Sequence, residues 1–302
     1  MRMDLLSVTD LGRDGLLGVL ETAAAVKADP ASVAGRLAGR KVGLFFEKPS
    51  TRTRVSCEVA CIDLGAAPLV LKQDEIGLGK RETVADVARV LDRYLDVLAF
   101  RVFDHRNLVG LADNAQAPVI NLLSDLEHPC QALADLQTLA ESKPLAGSVV
   151  AFVGDGNNVC HSLMLAGAMA GMSLRVASPP GFEPSPEVVA RAKSLGTAGV
   201  EITVGNDPAA AVRGADAVYT DVWASMGQEA EAAERRRLFA PYQINEKLFS
   251  LAGPRAIFLH CLPAHRGDEV TDGVADHERS RIFDQAENRM HAFKALLLHL
   301  AV

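Results

Sequence analysis

The sequence predicts an α/β protein with two Rossmann-like domains, each a parallel sheet covered by helices. Three observations predict this class. The chain has 302 residues, a length that suggests about two domains. Short strand-like apolar runs alternate with stretches of helical spacing, and this series occurs twice. Between the two series lies SKPLAG (142–147), a polar segment with Pro and Gly that is typical of a domain junction.

The first series is expected to form a domain over residues 1–141. Its strand-like runs are RKVGLFF (40–46), APLVL (67–71), VLAFRVF (97–103) and APVIN (117–121). Helices are predicted from Arg54 to Leu64, from Glu82 to Arg93 and from Pro129 to Glu141. The second of these helices carries apolar residues at 84, 87, 88 and 91, which is helical spacing.

The second series is expected to form a domain over residues 142–284. Its strand-like runs are SVVAFV (148–153), LRVAS (174–178), VEITV (200–204), AVYTD (217–221) and AIFLH (256–260). Helices are predicted through HSLMLAGAMAG (161–171) and from Pro186 to Leu195. A last helix is predicted over about 285–302, and we expect it to pack back on the first domain.

Composition and charge exclude several classes of protein. The formal net charge is −7, which argues against a general nucleic-acid binder. The N-terminus does not have the pattern of a secretory signal, and no apolar run reaches the ~18 residues of a membrane span. The five cysteines show no CxxC spacing, so we expect reduced thiols in a cytoplasmic protein that binds no membrane and no nucleic acid.

Open α/β sheets bind ligands beyond the carboxyl ends of their strands. The segment PSTRTR (49–54) follows the first predicted strand and opens a helix, whose start favours an anion. Ser50, Thr51 and Thr53 offer hydroxyl groups, and the Arg52 guanidinium can bind two phosphate oxygens. The alternative interpretation is an ordinary N-cap followed by surface arginines.

Two other segments of the first half carry polar groups near strand ends. Arg101 lies among apolar strand residues, which is costly unless its charge is paired with a carboxylate or a bound anion. His128 and Gln131 flank Pro129 at the start of a helix, where both could face the same crevice as PSTRTR. A lone histidine is more often structural, but a His-Pro-x-Gln group at a helix start favours a site.

The segment GDGNNV (154–159) resembles a dinucleotide fingerprint but fails its tests. Val159 stands where a third small residue is needed, and no acid ends the next strand, LRVAS. We therefore expect a Rossmann-like fold without nicotinamide binding. The two asparagines favour a zwitterionic ligand, because an amide both donates and accepts hydrogen bonds.

The second half carries three more candidate groups. Asp221 can hold a cationic amine, while Ser225 and the backbone of Met226 can hold a carboxylate. Cys261 is a thiol at a strand end, although a buried cysteine is often only a small apolar residue. Arg289 lies early in the last helix, from which it could reach back toward the crevice.

Taken together, five segments resemble the aspartate/ornithine carbamoyltransferase family, in the family's order and over nearly the whole chain. They are STRTR (50–54), HPCQ (128–131), DVWASMG (221–227), HCLP (260–263) and QAENRMH (285–291). SMG and the cysteine of HCLP resemble the members that use ornithine, since a member that uses aspartate would have HPLP and lack SMG. One departure is Gly77, which stands where many members have a glutamine.

The resemblance implies transfer of the carbamoyl group of carbamoyl phosphate to the δ-amine of L-ornithine, giving L-citrulline and phosphate for arginine biosynthesis. It implies that Cys261, Asp221, Arg101 and His128 are catalytic. The residues implied to contact carbamoyl phosphate are Ser50, Thr51, Arg52, Thr53, Arg101, His128, Pro129, Cys130, Gln131, Cys261, Leu262 and Arg289. Those implied to contact ornithine are Asn158, Asp221, Ser225 and Met226.

The resemblance further implies a homotrimer or a multiple of trimers. No metal and no organic cofactor are expected, because carbamoyl phosphate is already activated. Three alternatives stay open at this stage: a carbamoyltransferase for another amine, a nicotinamide-dependent oxidoreductase, and a catalytically silent relative.

Overall fold

The computed structural model describes residues 2–224 and 231–301 of the chain. The chain divides into two compact units. Unit 1 consists of Met1–Gln137 and Glu287–Val302, and unit 2 consists of Thr138–Ala286. Each unit contains one parallel β-sheet with helices, so the predicted fold class is confirmed. Among the described residues, no helix combines the length and apolar character that crossing a membrane requires.

Unit 1 is built on a four-stranded sheet with the order β2-β1-β3-β4, and all neighbouring strands are parallel. The strands are β1 (Lys41–Phe46), β2 (Ala67–Lys72), β3 (Val97–Arg101) and β4 (Val119–Leu123). The helices are α1 (Gly12–Ala28), α2 (Thr51–Asp63), α3 (Gln73–Ile76), α4 (Val84–Leu91), α5 (His105–Asn114) and α6 (Pro129–Ser142). Helices α1, α3 and α5 had no counterpart among the sequence predictions.

Strands β1 and β3 form the centre of this sheet, and their residues are almost all buried. The rings of Phe45 and Phe100 stack with centroids 4.8 Å apart, which fixes the two strands side by side. Strand β2 lies on one side of β1, and the chain then crosses to the other side of β1 to form β3. The crossover direction therefore reverses between β1 and β3. Ligands bind at such a reversal, beyond the carboxyl ends of the strands. Phe46 and Arg101 end these two strands and are paired in register.

Unit 2 is built on a five-stranded parallel sheet with the order β7-β6-β5-β8-β9. The strands are β5 (Val149–Val153), β6 (Ser173–Ala177), β7 (Ile202–Gly205), β8 (Ala217–Thr220) and β9 (Ile257–His260). The helices are α7 (Asn158–Met169), α8 (Pro186–Leu195), α9 (Pro208–Val212), α10 (Ala232–Phe239), α11 (Glu246–Phe249), α12 (Asp272–Ala275) and α13 (Ile282–Ala301). The crossover direction reverses between β5 and β8, which places the ligand edge of this sheet after those strands.

From residue 287 onward, helix α13 belongs to unit 1. Lys294 is 1% exposed and forms an ion pair of 2.5 Å with Asp63 at the end of α2. Lys27, in the last turn of α1, donates a hydrogen bond of 2.9 Å to Asn288 Oδ1. These polar contacts hold α13 against the helices of unit 1 and fix the position of its first turns.

Candidate active site

The first turn of α2 presents hydroxyl groups and an arginine at the carboxyl end of β1. Ser50 occupies the N-cap position, but its side chain makes no capping hydrogen bond to the helix. Its hydroxyl instead donates to Thr53 Oγ1 at 2.9 Å. Thr51 is exposed and Arg52 is half-buried in this turn. Ser50 is therefore the N-cap residue without supplying a side-chain cap, and the positive end of the helix dipole can act on an anion.

Arg289 connects this turn to the start of α6. Its Nη2 donates to Thr53 Oγ1 at 2.6 Å, and its Nη1 donates to Gln131 Oε1 at 2.7 Å. Gln131 Nε2 donates in turn to Asp135 Oδ1 at 2.7 Å. All four side chains are buried. Because the two acceptors of the guanidinium are neutral oxygens, its charge is not cancelled by them, and it favours an anionic ligand.

A second buried arginine, Arg101, lies near His128 at the start of α6. Burial lowers the pKa of His128 well below its usual range, and the charges of Arg289 and Arg101 lower it further. The imidazole is therefore neutral near neutral pH and can donate or accept a hydrogen bond without adding charge. Two guanidinium groups beside a neutral imidazole suit a ligand that carries both a phosphate and a carbonyl oxygen.

Pro129 and Cys130 begin helix α6, and both are buried. The Cys130 thiol donates to the carbonyl oxygen of Asn121 in β4 at 3.5 Å. Burial raises the pKa of this thiol to about 12, so it stays protonated. Since the Cys130 side chain is directed at the sheet, we expect any ligand contact of this residue to use its backbone.

In unit 2, Asp221 directly follows β8 and receives three hydrogen bonds. Asn157 Nδ2 donates to its Oδ2 at 2.8 Å. The backbone N–H of Val222 and the thiol of Cys261 donate to its Oδ1 at 2.8 and 2.9 Å. Asp221 and Cys261 are 6% and 9% exposed. The predicted pair of carboxylate and thiol is thus assembled at the ends of the neighbouring strands β8 and β9.

The loop after β5 fits closely against the rest of unit 2. A Cβ on Gly156 would lie 2.1 Å from the backbone nitrogen of Pro184, so only glycine fits there. Asn157 is the N-cap of α7, and its side chain accepts hydrogen bonds from the backbone of Val159 and Cys160. Asn158 is the first residue of the helix and is half-buried. The glycine therefore serves close packing here rather than a dinucleotide.

The turn that carries Cys261 is held by His260 and Glu269. The backbone N–H of Leu262 donates to His260 Nδ1 at 2.8 Å, so Nδ1 is unprotonated and Nε2 carries the hydrogen. Nε2 lies 3.2 Å from Glu269 Oε1, and both side chains are fully buried. Leu262 has a φ of 58°, an uncommon conformation for leucine, and its contact with His260 stabilises it. This network fixes the direction of the Cys261 thiol.

Asp221, His260 and Cys261 offer ligand atoms that all lie within 4.8 Å of one another, a spacing that a metal ion could use. Each of these groups already has a protein partner. The thiol donates to the carboxylate, and both nitrogens of the imidazole face Leu262 and Glu269. The hydrogen bonds account for the cluster on their own, so its composition does not require a metal.

Arg235 of α10 lies beneath the loop after β5. Its Nη1 donates to Asp155 Oδ2 at 2.8 Å and to the carbonyl oxygen of Trp223 at 2.9 Å. Burial raises the pKa of Asp155 to about 6, although the charge of Arg235 acts in the opposite direction. The guanidinium therefore ties the residue after Gly154 to the segment that follows Asp221.

The contacts bring the sequence-predicted residues together in two groups. In unit 1, Thr53, Arg101, His128, Gln131 and Arg289 form one cluster, which Ser50 joins through Thr53. In unit 2, Asp221 and Cys261 form the second cluster, with Leu262 in the adjoining turn. Ser225 and Met226 lie outside the described residues.

The backbone conformation at Gly77 accounts for the absence of the glutamine that many family members have at this position. It has a φ of 68°, and a Cβ on it would lie 2.7 Å from Cβ of Arg81. A glutamine would be strained at this position, so the missing side chain is a property of the local backbone.

Sequence reasoning missed three residues that shape the site. Asn157 was noted only as one of two asparagines, yet it is the one that contacts Asp221. Glu269 carried no signal in the sequence, because acidic residues are usually exposed. Arg235 stands in a run of three arginines, and only the phase of α10 shows which of them is buried.

Two family models match this chain. The model for the carbamoyl-P binding domain of aspartate/ornithine carbamoyltransferase matches residues 3–141. The model for the Asp/Orn binding domain of aspartate/ornithine carbamoyltransferase matches residues 146–300. Together they cover nearly the whole chain, and the resemblance seen in the sequence motifs is confirmed.

Relatives at about half identity support the same assignment. The ornithine carbamoyltransferase of Thermosynechococcus vestitus is 52% identical over 303 residues, covering 99% of this chain and 96% of that protein. The protein of the same name from Thermococcus kodakarensis is 50% identical, covering 97% of this chain and 95% of the relative.

Solved structures agree with this result. The ornithine carbamoyltransferase structure from Pyrococcus furiosus superposes with a TM-score of 0.95 at 49% identity, covering 99% of this chain and 96% of that one. The structure from Thermus thermophilus has a TM-score of 0.91 at 44% identity, with full coverage of both chains. From its motifs, its two clusters and these matches, the chain belongs to the aspartate/ornithine carbamoyltransferase family.

Proposed function

We propose that this protein is an ornithine carbamoyltransferase, which transfers the carbamoyl group of carbamoyl phosphate to the δ-amine of L-ornithine and releases L-citrulline and phosphate. The observation that carries the choice of acceptor is the hydrogen bond between Cys261 and Asp221. A member that uses aspartate is expected to have proline in place of this cysteine. The relatives at about 50% identity that bear the name ornithine carbamoyltransferase support the same choice.

The cluster of unit 1 is proposed to hold carbamoyl phosphate. The phosphate needs cationic and N–H donors, and the first turn of α2 offers Ser50, Thr51, Arg52 and Thr53. Arg101 adds a second guanidinium to this group, and both ends of the carbamoyl phosphate molecule can then be bound by one cluster. Gln131 is the residue proposed to face the carbamoyl nitrogen.

The same cluster is proposed to stabilise the tetrahedral state. When the amine attacks, the C=O double bond becomes a single bond and its oxygen gains negative charge. Thr53, Arg101 and His128 are the proposed donors to that oxygen, and one such donor is typically worth ~3 kcal/mol. The neutral state of His128 fits this role, because burial and the two neighbouring arginines keep its pKa low. Arg289 adds positive charge beside Thr53.

The cluster of unit 2 is proposed to hold ornithine. Asn158, Ser225 and the backbone of Met226 are proposed to bind the α-amino and carboxylate groups, and Asp221 to bind the δ-amine. A free alkylamine has a pKa of about 10.4, so only ~0.04% of it is neutral at pH 7. The amine must lose a proton before its lone pair can form the bond to the carbamoyl carbon. Asp221 and Cys261 are the proposed groups for that step.

Carbamoyl transfer forms one bond at the carbamoyl carbon and breaks another. The nitrogen lone pair forms the C–N bond, and the C–O bond to phosphate breaks with its electrons on the phosphate oxygen. One proton leaves the ammonium form of the amine, and a second leaves the nitrogen after it has attacked. Cys261 as a thiolate could take one of them, and the phosphate leaving group can take another.

Cys261 and Leu262 are also proposed to contact the carbamoyl group.

An acceptor assay tests this function directly. Purified protein is supplied with carbamoyl phosphate and, separately, with ornithine, aspartate, putrescine or lysine, and the release of phosphate and carbamoylated product is measured. We expect turnover with ornithine to exceed turnover with each other amine by about 100-fold or more, since a site loses affinity when its buried polar groups are left unpaired. Turnover with another amine alone would show that the acceptor is wrong.

Assembly into a trimer, or a multiple of trimers, is also proposed. It is supported by the family to which the chain belongs and by one observation. Val55 and Ile62 are exposed on α2, and Leu69 is exposed on β2, which is an edge strand of its sheet. Exposed apolar groups beside a sheet edge are typical of an interface with another chain. Light scattering after size exclusion should give three times the 32.1 kDa chain mass, or a multiple of that.

A cytoplasmic location is proposed because all five cysteines are free thiols.

A further inference from the structure

Asn157 uses both ends of its side-chain amide at once. Its Oδ1 accepts hydrogen bonds from the backbone N–H groups of Val159 and Cys160 at 3.0 and 3.2 Å. Its Nδ2 donates to Asp221 Oδ2 at 2.8 Å. Because the oxygen must face the two N–H groups of the helix, the orientation of the amide is fixed and its NH₂ group points at Asp221.

Capping alone does not require asparagine at this position. Serine, threonine and aspartate cap helices about as well, since each offers an oxygen to the first N–H groups. None of these three also offers an N–H donor to a neighbouring carboxylate. The second hydrogen bond, across 64 residues of sequence to Asp221, is therefore a separate property of Asn157.

The hydrogen bond from Asn157 restricts the orientation of the Asp221 carboxylate. Cys261 and the Val222 N–H hold Oδ1, and Asn157 holds Oδ2. A carboxylate held at only one oxygen can rotate about its last bond, while one held at both oxygens keeps its plane. We propose that Asn157 is a positioning residue for carbamoyl transfer: it fixes the plane of Asp221, so that the remaining lone pairs of the carboxylate face the δ-amine of ornithine. This inference rests on the proposed function.

The two adjacent asparagines then have different tasks. Asn158 is the residue proposed to bind ornithine itself, whereas Asn157 acts through Asp221. A test must therefore separate loss of positioning from loss of the helix cap.

Asn157→Ser keeps an oxygen for the cap of α7 and removes the amide NH₂ group that donates to Asp221. We expect the melting temperature to stay within a few degrees of wild type, since serine is a good cap. The value of kcat/KM for ornithine should fall roughly 10- to 100-fold, which is the usual effect of removing one hydrogen bond to a charged group. Binding of carbamoyl phosphate to the free enzyme should not change.

The matched control is Asn245→Ser. Asn245 is the N-cap of α11, and its side chain accepts a hydrogen bond from the backbone of Leu248. It lies in the same unit and makes the same kind of cap, but no contact with Asp221 is among its hydrogen bonds. We expect this variant to retain wild-type kcat/KM for ornithine.

Asn157→Asp gives a readout that a purely structural role would not move. It keeps the cap but places a second carboxylate beside Asp221, where like charges raise the pKa of one of them. Among the described residues, the charged and titratable groups around Asp221 are Asp155, with its partner Arg235, and the thiol and imidazole of Cys261 and His260. The acidic limb of the pH profile of kcat/KM for ornithine should shift upward by about one pH unit or more.

The outcomes separate this inference from the proposed function. Wild-type turnover with ornithine tests the function, and the variants are judged against wild type. If Asn157→Ser keeps full kcat/KM for ornithine, or if Asn157→Asp leaves the pH profile unchanged, Asn157 is only a helix cap. A readout without catalysis is the rate at which iodoacetamide alkylates Cys261, measured by mass spectrometry of its peptide. Asn157→Asp should slow it several-fold, because added negative charge opposes the thiolate, and an unchanged rate would contradict the contact between residue 157 and the Asp221–Cys261 pair on which the positioning role depends.

Discussion

Arg289 donates a hydrogen bond of 2.6 Å to the hydroxyl of Thr53, a residue that precedes it by 236 positions. The same guanidinium donates to Gln131 at 2.7 Å, so one side chain sets the distance between α2 and α6. Lysine at this position keeps the charge but cannot donate to both acceptors in a fixed plane.

Arg289→Lys should therefore damage the use of carbamoyl phosphate. We expect kcat/KM for carbamoyl phosphate to fall about 10- to 1,000-fold, as for loss of a donor in a preorganised site. Steady-state kinetics with carbamoyl phosphate as the varied substrate measures this. Arg93→Lys, an exposed change on the same unit, is the control and should have no effect. Wild-type kinetics in Arg289→Lys would remove this residue from the proposed site.

Arg52→Ala and Asp221→Asn should impair different substrates. Arg52→Ala removes a phosphate donor, so carbamoyl phosphate should bind at least about 10-fold more weakly. Asp221→Asn removes the charge proposed to hold the δ-amine, so KM for ornithine should rise by about 10-fold or more while carbamoyl phosphate binding stays nearly intact. Equilibrium binding of carbamoyl phosphate and steady-state kinetics with ornithine give both values. If both variants lost affinity for the same substrate, the assignment of ligands to the two clusters would be wrong.

His128 should remain neutral across the physiological pH range. Burial and the charges of Arg289 and Arg101 lower its pKa well below the usual value. In protein labelled with ¹³C at histidine Cε1, its NMR signal should not shift between about pH 6 and pH 8, where an ordinary histidine titrates. The variant His128→Gln identifies the signal by its absence. A titration midpoint near 6.5 would contradict the proposed role of the neutral imidazole.

Asp155 should make the stability of the protein depend on acidity. Its pKa is raised to about 6 in the folded state, so the folded protein holds this proton more tightly than the unfolded chain. The free energy of unfolding should therefore fall as pH rises from about 4 to about 6, by roughly 2–3 kcal/mol from this group alone. Urea denaturation of wild type and Asp155→Asn across this range isolates the contribution. Two parallel curves would show that Asp155 does not titrate there.

Cys261→Ser separates hydrogen bonding from proton transfer. A serine hydroxyl can still donate to Asp221, but it is far less acidic than a thiol and does not form the conjugate base near neutral pH. If the thiolate takes the amine proton, kcat should fall about 10- to 100-fold in Cys261→Ser and by a similar factor in Cys261→Ala. A serine variant with wild-type kcat would assign the thiol a holding role only. Pre-steady-state measurement of phosphate release would show whether the affected step is chemistry.

Much of the fold could be predicted from the sequence because its signals are local. The central strands β1, β3, β5 and β8 are nearly continuous apolar runs, since a parallel strand inside a sheet is buried on both faces. The residues at strand ends also followed from the sequence: Arg101 ends β3, and Asp221 and Cys261 directly follow β8 and β9. Helix α5 was missed because half of the residues in its short segment, HRNLVGLADN, are polar.

The contacts of the site could not be predicted, because they depend on three-dimensional packing. That Ser50 donates to Thr53 and leaves the helix uncapped depends on χ angles that the sequence does not encode locally. The hydrogen bond of Asn157 to Asp221 depends on the distance between β5 and β8. The burial of Arg235 depends on the rotation of α10 about its axis. Short motifs predicted the candidate residues, whereas the contacts of each residue are seen only in the structure.

The return of α13 to unit 1 has a consequence for how the protein is made. A ribosome releases the chain from the N-terminus, so the sheet of unit 1 emerges long before residues 287–302 are synthesised. Until then Asp63 cannot form its ion pair with Lys294, and Thr53 and Gln131 lack the hydrogen bonds from Arg289. Unit 1, which is proposed to hold carbamoyl phosphate, is therefore completed only after unit 2 has been synthesised. A nascent chain that stops before residue 287 would lack Arg289, and its cluster in unit 1 would be incomplete.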